Sequence, residues 1–503
     1  TMPPMPSPEV SAMSRSRKTS PPATAIDRGP AESPVTRRQA LGFLGAAALS
    51  AGGLTLGVPS AFAFRSKPRR PNFIFILTDD HRYDMLGAAD HPFLKTPHMD
   101  RLCREGVRFE NAFATTALCS PSRASFLTGQ YASVHGVTNN FSRWDETRNV
   151  TFLRHLKRAG YDTAFVGKWH MPGGGLPRLP EADLFVSFTR KDGQGDYFNC
   201  PLYVNGRLTP NRTPYITEEL TEYALDFVRQ KRRNPFCLYL SHKAVHHDWK
   251  PPRHLRGRHR HADLSFLAPE SDRYNTLSGL NWLEGTLGNM HDVYRRYCEC
   301  LESVDEQLGR LLAALEAKGL LDNTVVVYAG DNGYLWGEHR LYAKHYPYEE
   351  SIRIPFLVRA PGVVSGAGRR ISRMVLNIDL APTFLDLAGL PVPDAMQGES
   401  FVPLLRSPSA PGRPAFVYEL FRDFPFGGRV PPHQAIRTEN HKLIEWEMCR
   451  PPELYDLRRD PREMNNLCGT PAGDRLAADL SRELETLRKR FHIRRGAGRC
   501  ASA

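Results

Sequence analysis

Apolar and polar positions alternate in two registers along this chain. Residues 72–80 read NFIFILTDD, a continuous apolar run of strand length that stops at two aspartates. That is the pattern of a strand buried on both faces. Similar runs recur at residues 163–167, 235–241, 324–330 and 354–359. Between them, apolar residues return every three or four positions at residues 96–106, 152–159, 218–232, 293–318 and 380–390. Short buried strands alternating with amphipathic helices predict an α/β fold. Its main domain spans residues 71–393, with a mostly parallel central sheet flanked by helices. After about Pro393 the texture changes. Pro and Gly cluster as far as Arg413, then come three strand-like runs, PAFVYELF, HQAIRTE and HKLIEWE, and a charged helix over residues 474–491. These predict a small C-terminal subdomain, residues 394–503, with an antiparallel sheet and one packed helix.

The first 63 residues stand outside this pattern. Residues 1–34 are rich in Pro, Ser and Ala without periodicity, which predicts disorder. Arg37 and Arg38 then precede LGFLGAAALSAGGLTLGV and the small-x-small triplet Ala61-Phe62-Ala63. A basic pair, a weakly apolar core and such a triplet predict a twin-arginine export signal, and hence a periplasmic or secreted protein that meets the twin-arginine machinery. The core is short and Gly-rich for a membrane span of about 20 apolar residues, which favours a cleaved signal over an anchor.

Net charge is +13, of which +3 lies in those 63 residues. The remainder is spread along the chain, with one local run, KPPRHLRGRHRH, at residues 250–261. No nucleic-acid motif accompanies it, so no nucleic-acid partner is expected; an anionic substrate would account for part of the excess. None of the nine cysteines has zinc-finger spacing, and Cys298 with Cys300 forms only a lone CxC.

Two acidic pairs sit where strands end. Asp79 and Asp80 close the first run; Asp331 and Asn332 close the run TVVVYAG and precede Gly333. In open α/β sheets the carboxyl ends of strands form the ligand crevice. Carboxylates gathered there repel one another and need a cation between them; an all-oxygen set suits a hard ion, Ca²⁺ or Mg²⁺, over zinc.

The stretch TTALCSPSRASFLTG, residues 115–129, holds Cys119 among small and hydroxyl residues, with Pro121 and Arg123 following at alternate positions. This Cys-x-Pro-x-Arg run, with Leu127-Thr128-Gly129 downstream, resembles the signature of the formylglycine-dependent sulfatases of the alkaline phosphatase superfamily. In that family a dedicated maturing enzyme oxidises the cysteine to Cα-formylglycine before folding; small polar neighbours suit an extended segment read by such an enzyme. The resemblance continues through FILTDD, Gly167-Lys168-Trp169-His170, Ala244-Val245-His246, Lys344 upstream of YEESIRIP, and ELYDL with Asp460-Pro461 and Asn466-Leu467. It implies an alkaline-phosphatase-like fold and a metal site of Asp79, Asp80, residue 119, Asp331 and Asn332.

The resemblance also implies roles. Residue 119, as the aldehyde hydrate, supplies one hydroxyl to attack sulfur and a second whose deprotonation releases sulfate. Arg123 holds that side chain, Lys168 and Lys344 bind sulfate oxygens, His170 shuttles the hydroxyl proton, and His246 protonates the departing alcohol. Many members carry proline two positions after that last histidine. This chain has Asp248 there, and the adjacent His247 is the alternative imidazole. Residues 120–131 and 134–140, with the insertion 192–214, are most similar to N-acetylglucosamine-6-sulfatases and related glycan sulfatases. The expected substrate is therefore a 6-O-sulfate on an N-acetylglucosamine-type sugar of a sulfated glycan. Two other readings remain: a formylglycine-dependent phosphonate monoester or phosphodiester hydrolase, and a catalytically inactive glycan-binding member. Loss of a site residue would favour the last, and all ten are present.

Overall fold

The structure is a computed structural model that describes residues 70–171, 178–188, 193–267, 290–422, 430–447 and 450–495. The leader and export signal expected within residues 1–63 lie outside the described residues. No helix among the described residues is long and apolar enough to cross a membrane.

The main sheet has ten strands: β1 (Asn72–Thr78), β2 (Val107–Phe109), β3 (Asp162–Gly167), β4 (Leu184–Phe188), β5 (Leu202–Val204), β6 (Arg207–Thr209), β7 (Phe236–Ser241), β8 (Thr324–Gly330), β9 (Phe356–Arg359) and β10 (Arg369–Ile371). Their order is β10-β2-β9-β8-β1-β7-β3-β4-β5-β6. The five strands from β8 to β4 are mutually parallel. The sheet is mixed at its flanks: β9 runs antiparallel to β8, and β5 and β6 form a hairpin antiparallel to β4. That hairpin falls inside the 192–214 insertion, which holds no strand-length apolar run: Arg207 and Leu208 face solvent.

Why β1 sits at the centre follows from its residues. Every position is buried, and its side chains divide with period two. Ile74 and Ile76 join one apolar layer with helices α1 (Pro97–Glu105), α4 (Ile216–Arg229) and α5 (Met290–Ala317). Phe73, Phe75 and Leu77 join the opposite layer with α2 (Cys119–Thr128), α3 (Phe152–Arg158) and α6 (Leu380–Leu387). Helix ends are capped by the fold as well as by local sequence. Thr151 accepts from Arg154 N at the start of α3, whereas α1 opens with Pro97 and gives His98 N and Met99 N to Asp305 Oδ1 of α5 at 3.1 and 2.7 Å.

The C-terminal part is a four-stranded antiparallel sheet, β11 (Ala415–Leu420), β12 (His433–Thr438), β13 (His441–Trp446) and β14 (Glu453–Asp456), covered by α7 (Pro471–Arg490). Both faces of the sheet are used: Phe416 packs on Phe113 and Tyr418 OH accepts from Ala117 N on one, while Val417, Ile436 and Leu443 share the other with Glu445, which binds Ser481 and Arg488 of α7; Leu480 and Leu484 of α7, Tyr131 and Ile352 belong to the same apolar cluster. A buried ion cluster fastens the seam. Lys442 Nζ lies 2.9 Å from Glu349 Oε1 and 2.7 Å from Glu463 Oε1, and donates to Pro347 O at 2.8 Å. It thereby holds the chain a few residues beyond Lys344.

Candidate active site

The parallel strands deliver their acids to one point. Past β1, Asp79 N donates to Ala244 O at 2.9 Å; past β8, Asp331 N donates to Thr78 O at 2.9 Å. The chain then turns at Asp80, whose φ of 55° is one that Asp tolerates better than bulkier residues, and Asp80 N donates to Asp331 Oδ1 at 2.9 Å. One oxygen each of Asp79, Asp80 and Asp331 lies within 4.8 Å of the others, and all three residues are buried. Asn332 Nδ2 donates to Asp80 Oδ1 at 2.8 Å, while Asp80 Oδ2 and Asn332 Oδ1 are buried without a hydrogen-bond partner. An unsatisfied buried acceptor costs about 1–3 kcal/mol. Two such oxygens beside converging carboxylates fit a hard cation.

Three fixed cations surround the acids. Arg123 donates from Nε to Asp331 Oδ2 at 3.0 Å, and its Nη1 donates to Lys168 O and Ser241 Oγ at 3.1 and 2.7 Å. Lys168 follows β3 and pairs with Asp79 Oδ2; Lys344 pairs with Asp80 Oδ1. The carboxylates respond unequally. Burial, then the charge of Asp79, pushes Asp331 up to about 7. Burial also pushes Asp79 upward, but Lys168, His246 and Arg123 together outweigh it and hold that carboxyl well below the usual range.

Residue 119 is the first residue of α2, so the segment expected to be extended before folding is helical once folded, with its backbone at the positive end of the helix. Cys119 Sγ lies 2.9 Å from Lys344 Nζ and 3.5 Å from Asp79 Oδ1. Were residue 119 converted as the sequence resemblance implies, Sγ would mark the place of the new oxygens. As a thiol it would be inert here: burial, then Asp79, pushes it up to about 12. His246 is buried, and its ring lies with Asp79 and Cys119 in one group whose ligand atoms are within 4.8 Å; its Nε2 is 3.9 Å from Asp80 Oδ2. Its Nδ1 donates to His247 O at 3.1 Å, which turns Nε2 inward. The His247 ring packs against it at 3.9 Å, and of the adjacent pair it is His246 that closes on the acids. His170, in the left-handed region at φ 49°, presents Nε2 to Gln194 Nε2 at 3.3 Å, and its Nδ1 is buried without a hydrogen-bond partner. Burial, then neighbouring cations, keeps both His170 and His246 well below the usual histidine range, so both rings are neutral at pH 7.

Asp79, Asp80, Cys119, Arg123, Lys168, His170, His246, Asp331, Asn332 and Lys344 are thus all buried around one point, the carboxyl ends of β1, β3, β7 and β8. Several further residues that shape the site carried no sequence signal. Gln194 Oε1 accepts from Lys168 Nζ at 2.5 Å. Tyr197 OH donates to His246 O at 2.6 Å, and Tyr297 OH to Asp80 O at 2.9 Å. Ser122 Oγ donates to Asp331 O at 2.5 Å. Each acts on a neighbour distant in sequence, which only the fold supplies.

Known proteins resemble this chain over most of its length. A family model described as Sulfatase matches residues 71–390, and one described as N-sulphoglucosamine sulphohydrolase, C-terminal, matches residues 337–490. The chain is 32% identical to an N-acetylglucosamine-6-O-sulfatase of Bacteroides thetaiotaomicron, over 85% of this chain and 88% of that protein. It is similar to the solved structure of BT4656 in complex with its substrate D-glucosamine-2-N,6-O-disulfate, with a TM-score of 0.76 and 30% identity over 84% of this chain and 98% of the other. It is also similar to the phosphonate monoester hydrolase of Agrobacterium radiobacter, with a TM-score of 0.69 and 25% identity over 84% and 96%.

Proposed function

The chain belongs to the sulfatase family and is a sulfuric ester hydrolase acting on glycan sulfates, and from that premise we propose that it removes 6-O-sulfate from N-acetylglucosamine-type sugars with residue 119 as formylglycine and Ca²⁺ as the metal. The observation that carries the mechanistic reading is the convergence of three buried carboxylates with residue 119 inside a ring of Arg123, Lys168 and Lys344. The substrate half is supported by the similarity to proteins that are an N-acetylglucosamine-6-O-sulfatase and a binder of a 6-O-sulfated glucosamine.

A sulfate monoester is anionic and a poor electrophile, so its transition state must be met by fixed positive charge. Asp79, Asp80, Asp331 and Asn332 would hold the cation through oxygen, with the side chain of residue 119; bound there, it would supply Lewis-acid stabilisation of charge on the sulfate. Lys168 is held on Asp79 and Lys344 on Asp80, and these two ammonium groups are the ones to receive sulfate oxygens. Arg123 locks Asp331 against the backbone of residue 168, so the acid cluster is rigid before substrate arrives. His246 faces the site through Nε2 and is the proton donor to the leaving alcohol. The hydrated formylglycine supplies the nucleophilic hydroxyl. We extend the reading to biogenesis: a formylglycine-generating or equivalent maturase acts on the CSPSR segment before folding, and the twin-arginine machinery exports the folded enzyme.

The test is a rate comparison on purified, matured enzyme. Sulfate release from a 6-O-sulfated N-acetylglucosamine, with slower or no release from 2-, 3- and 4-sulfated sugars, is expected. Failure on every 6-sulfated hexosamine would remove the substrate half alone. An aryl phosphonate turned over faster than an aryl sulfate would move the enzyme to the phosphonate reading.

A metal prediction follows from the orphaned oxygens. Metal-free protein titrated with Ca²⁺ is expected to bind one ion per chain and to melt higher. At a hundredfold excess over Kd the added stability is about 2.7 kcal/mol, or roughly 2–4 °C for a chain of this size. Asp331→Ala should remove both effects. Full metal content in that variant by elemental analysis would show that these acids are not the ligands.

A further inference from the structure

The segment Gly193-Gln194-Gly195 reaches the site from beyond β4 and is shaped to do so. Both glycines have left-handed backbone, φ 66° and 67°. A Cβ on Gly193 would lie 2.9 Å from His170 Cδ2, and one on Gly195 would lie 2.6 Å from the ring of Phe188. Any side chain at either position would push the segment off these rings. What the two glycines permit is the placement of one amide, that of Gln194, between Lys168 and His170.

Which way that amide faces is settled by chemistry. The Lys168 ammonium, ion-paired with Asp79, has only donors to offer, so the group 2.5 Å from it must be the carbonyl oxygen Oε1. The amide NH₂ then points at His170 Nε2, 3.3 Å away, and a nitrogen that faces a donor must be the acceptor. His170 therefore carries its proton on Nδ1, the nitrogen that is buried with no hydrogen-bond partner. Three residues further on, Tyr197 OH donates to His246 O. One short segment thus touches both histidines of the site.

We infer that Gln194 is a positioning residue of this enzyme: its amide reads the charge of Lys168 at one end and, at the other, fixes His170 as the Nδ1–H tautomer, leaving Nδ1–H as the donor available to an oxygen of the reacting centre. The inference rests on the sulfatase reading only for its catalytic consequence; the tautomer is a property of the resting protein. The other charged groups acting on His170 have partners of their own, Lys168 and Arg123 with Asp79 and Lys344 with Asp80, and leave the direct contact at Nε2 to Gln194.

The experiment uses calcium-loaded, matured enzyme labelled with ¹⁵N-histidine, the His170 signals assigned by their loss in His170→Asn. Wild type is expected to show His170 protonated at Nδ1 and bare at Nε2. Gln194→Glu keeps an acceptor for Lys168 but offers His170 an acceptor too, so a proton is expected to appear on Nε2. Gln194→Met removes both contacts while keeping the length. Both variants are expected to lose about 10–100-fold in kcat, the usual effect of removing a group that orients a reacting residue, with KM changed far less. A wild-type His170 protonated at Nε2 overturns the inference, whether or not the protein cleaves sulfate esters. So does an unchanged tautomer in Gln194→Glu, or kcat retained in both variants. An enzyme inactive on all sulfates that still shows the Nδ1–H tautomer and its shift in Gln194→Glu leaves the inference standing and removes the function reading instead.

Discussion

Cys119→Ala is expected to fold like the parent and to lose turnover by roughly 10⁴–10⁶-fold, the range seen when the nucleophile of a cooperating catalytic set is deleted. Residue 119 is fully buried at the start of α2, in contact with Lys344 and Asp79. Trading the side chain for a methyl removes little packing, so melting temperature should change by only a few degrees. What disappears is the group held among the acids and Lys344 that the proposed mechanism bonds to sulfur. Cys119→Ser separates two explanations. If a thiol were the nucleophile, serine would retain a hydroxyl in the same place and some turnover. If formylglycine is required, serine should be as inactive as alanine unless the maturase accepts it. Peptide mass spectrometry of active wild type should show the aldehyde at residue 119. A preparation with full activity and an intact thiol at 119 would sink the mechanism, and the thiol's elevated pKa of about 12 would then need another explanation.

That the acids and residue 119 belong together was legible in the sequence because their signals are local. An apolar run that ends in Asp-Asp places charge at the end of a buried strand whatever the rest of the fold does, and TVVVYAG followed by Asp331 and Asn332 repeats the message. The structure sets those two strands side by side, with Thr78 paired to Gly330. The C-terminal sheet and helix were legible for the same reason. The flanks of the main sheet were not. Direction is a property of a connection, and nothing in the residues of β9 says whether the chain returns parallel or antiparallel to β8. The β5–β6 hairpin was also hidden, since its three-residue strands are too short and too exposed to show alternation. Gln194 and Tyr197 were beyond reach because an isolated glutamine between glycines has no chemistry until Lys168 and His170 are brought to it. His246 and His247 are chemically identical neighbours; only the hydrogen bond from Nδ1 of one to the carbonyl of the other decides which ring turns inward.

His246→Ala is expected to slow the 6-O-sulfated sugar by about 10²–10⁴-fold while slowing p-nitrophenyl sulfate by less than about tenfold. The argument starts from the leaving group. A primary sugar alkoxide is strongly basic and must gain a proton as the S–O bond breaks. A nitrophenolate is weakly basic and departs without one. His246 is built for the first case. Its Nδ1–H is committed to the carbonyl of His247, so any proton it delivers comes from Nε2, the atom that faces the acids and residue 119. In the resting site burial and the cations Lys168 and Lys344 keep the ring neutral. A bound sulfate brings negative charge between the lysines, offsets those cations and favours the protonated ring at the moment when the proton is needed. Lys168→Ala and Lys344→Ala are expected to behave differently, slowing both substrates alike, because the sulfate oxygens they meet are common to both. The ratio of the two rates therefore separates a group that acts on the alcohol from one that acts on the sulfate. Equal slowing of both substrates by His246→Ala would move the proton-donor role away from His246, and the same pair of assays on His247→Ala would then decide whether its neighbour holds it.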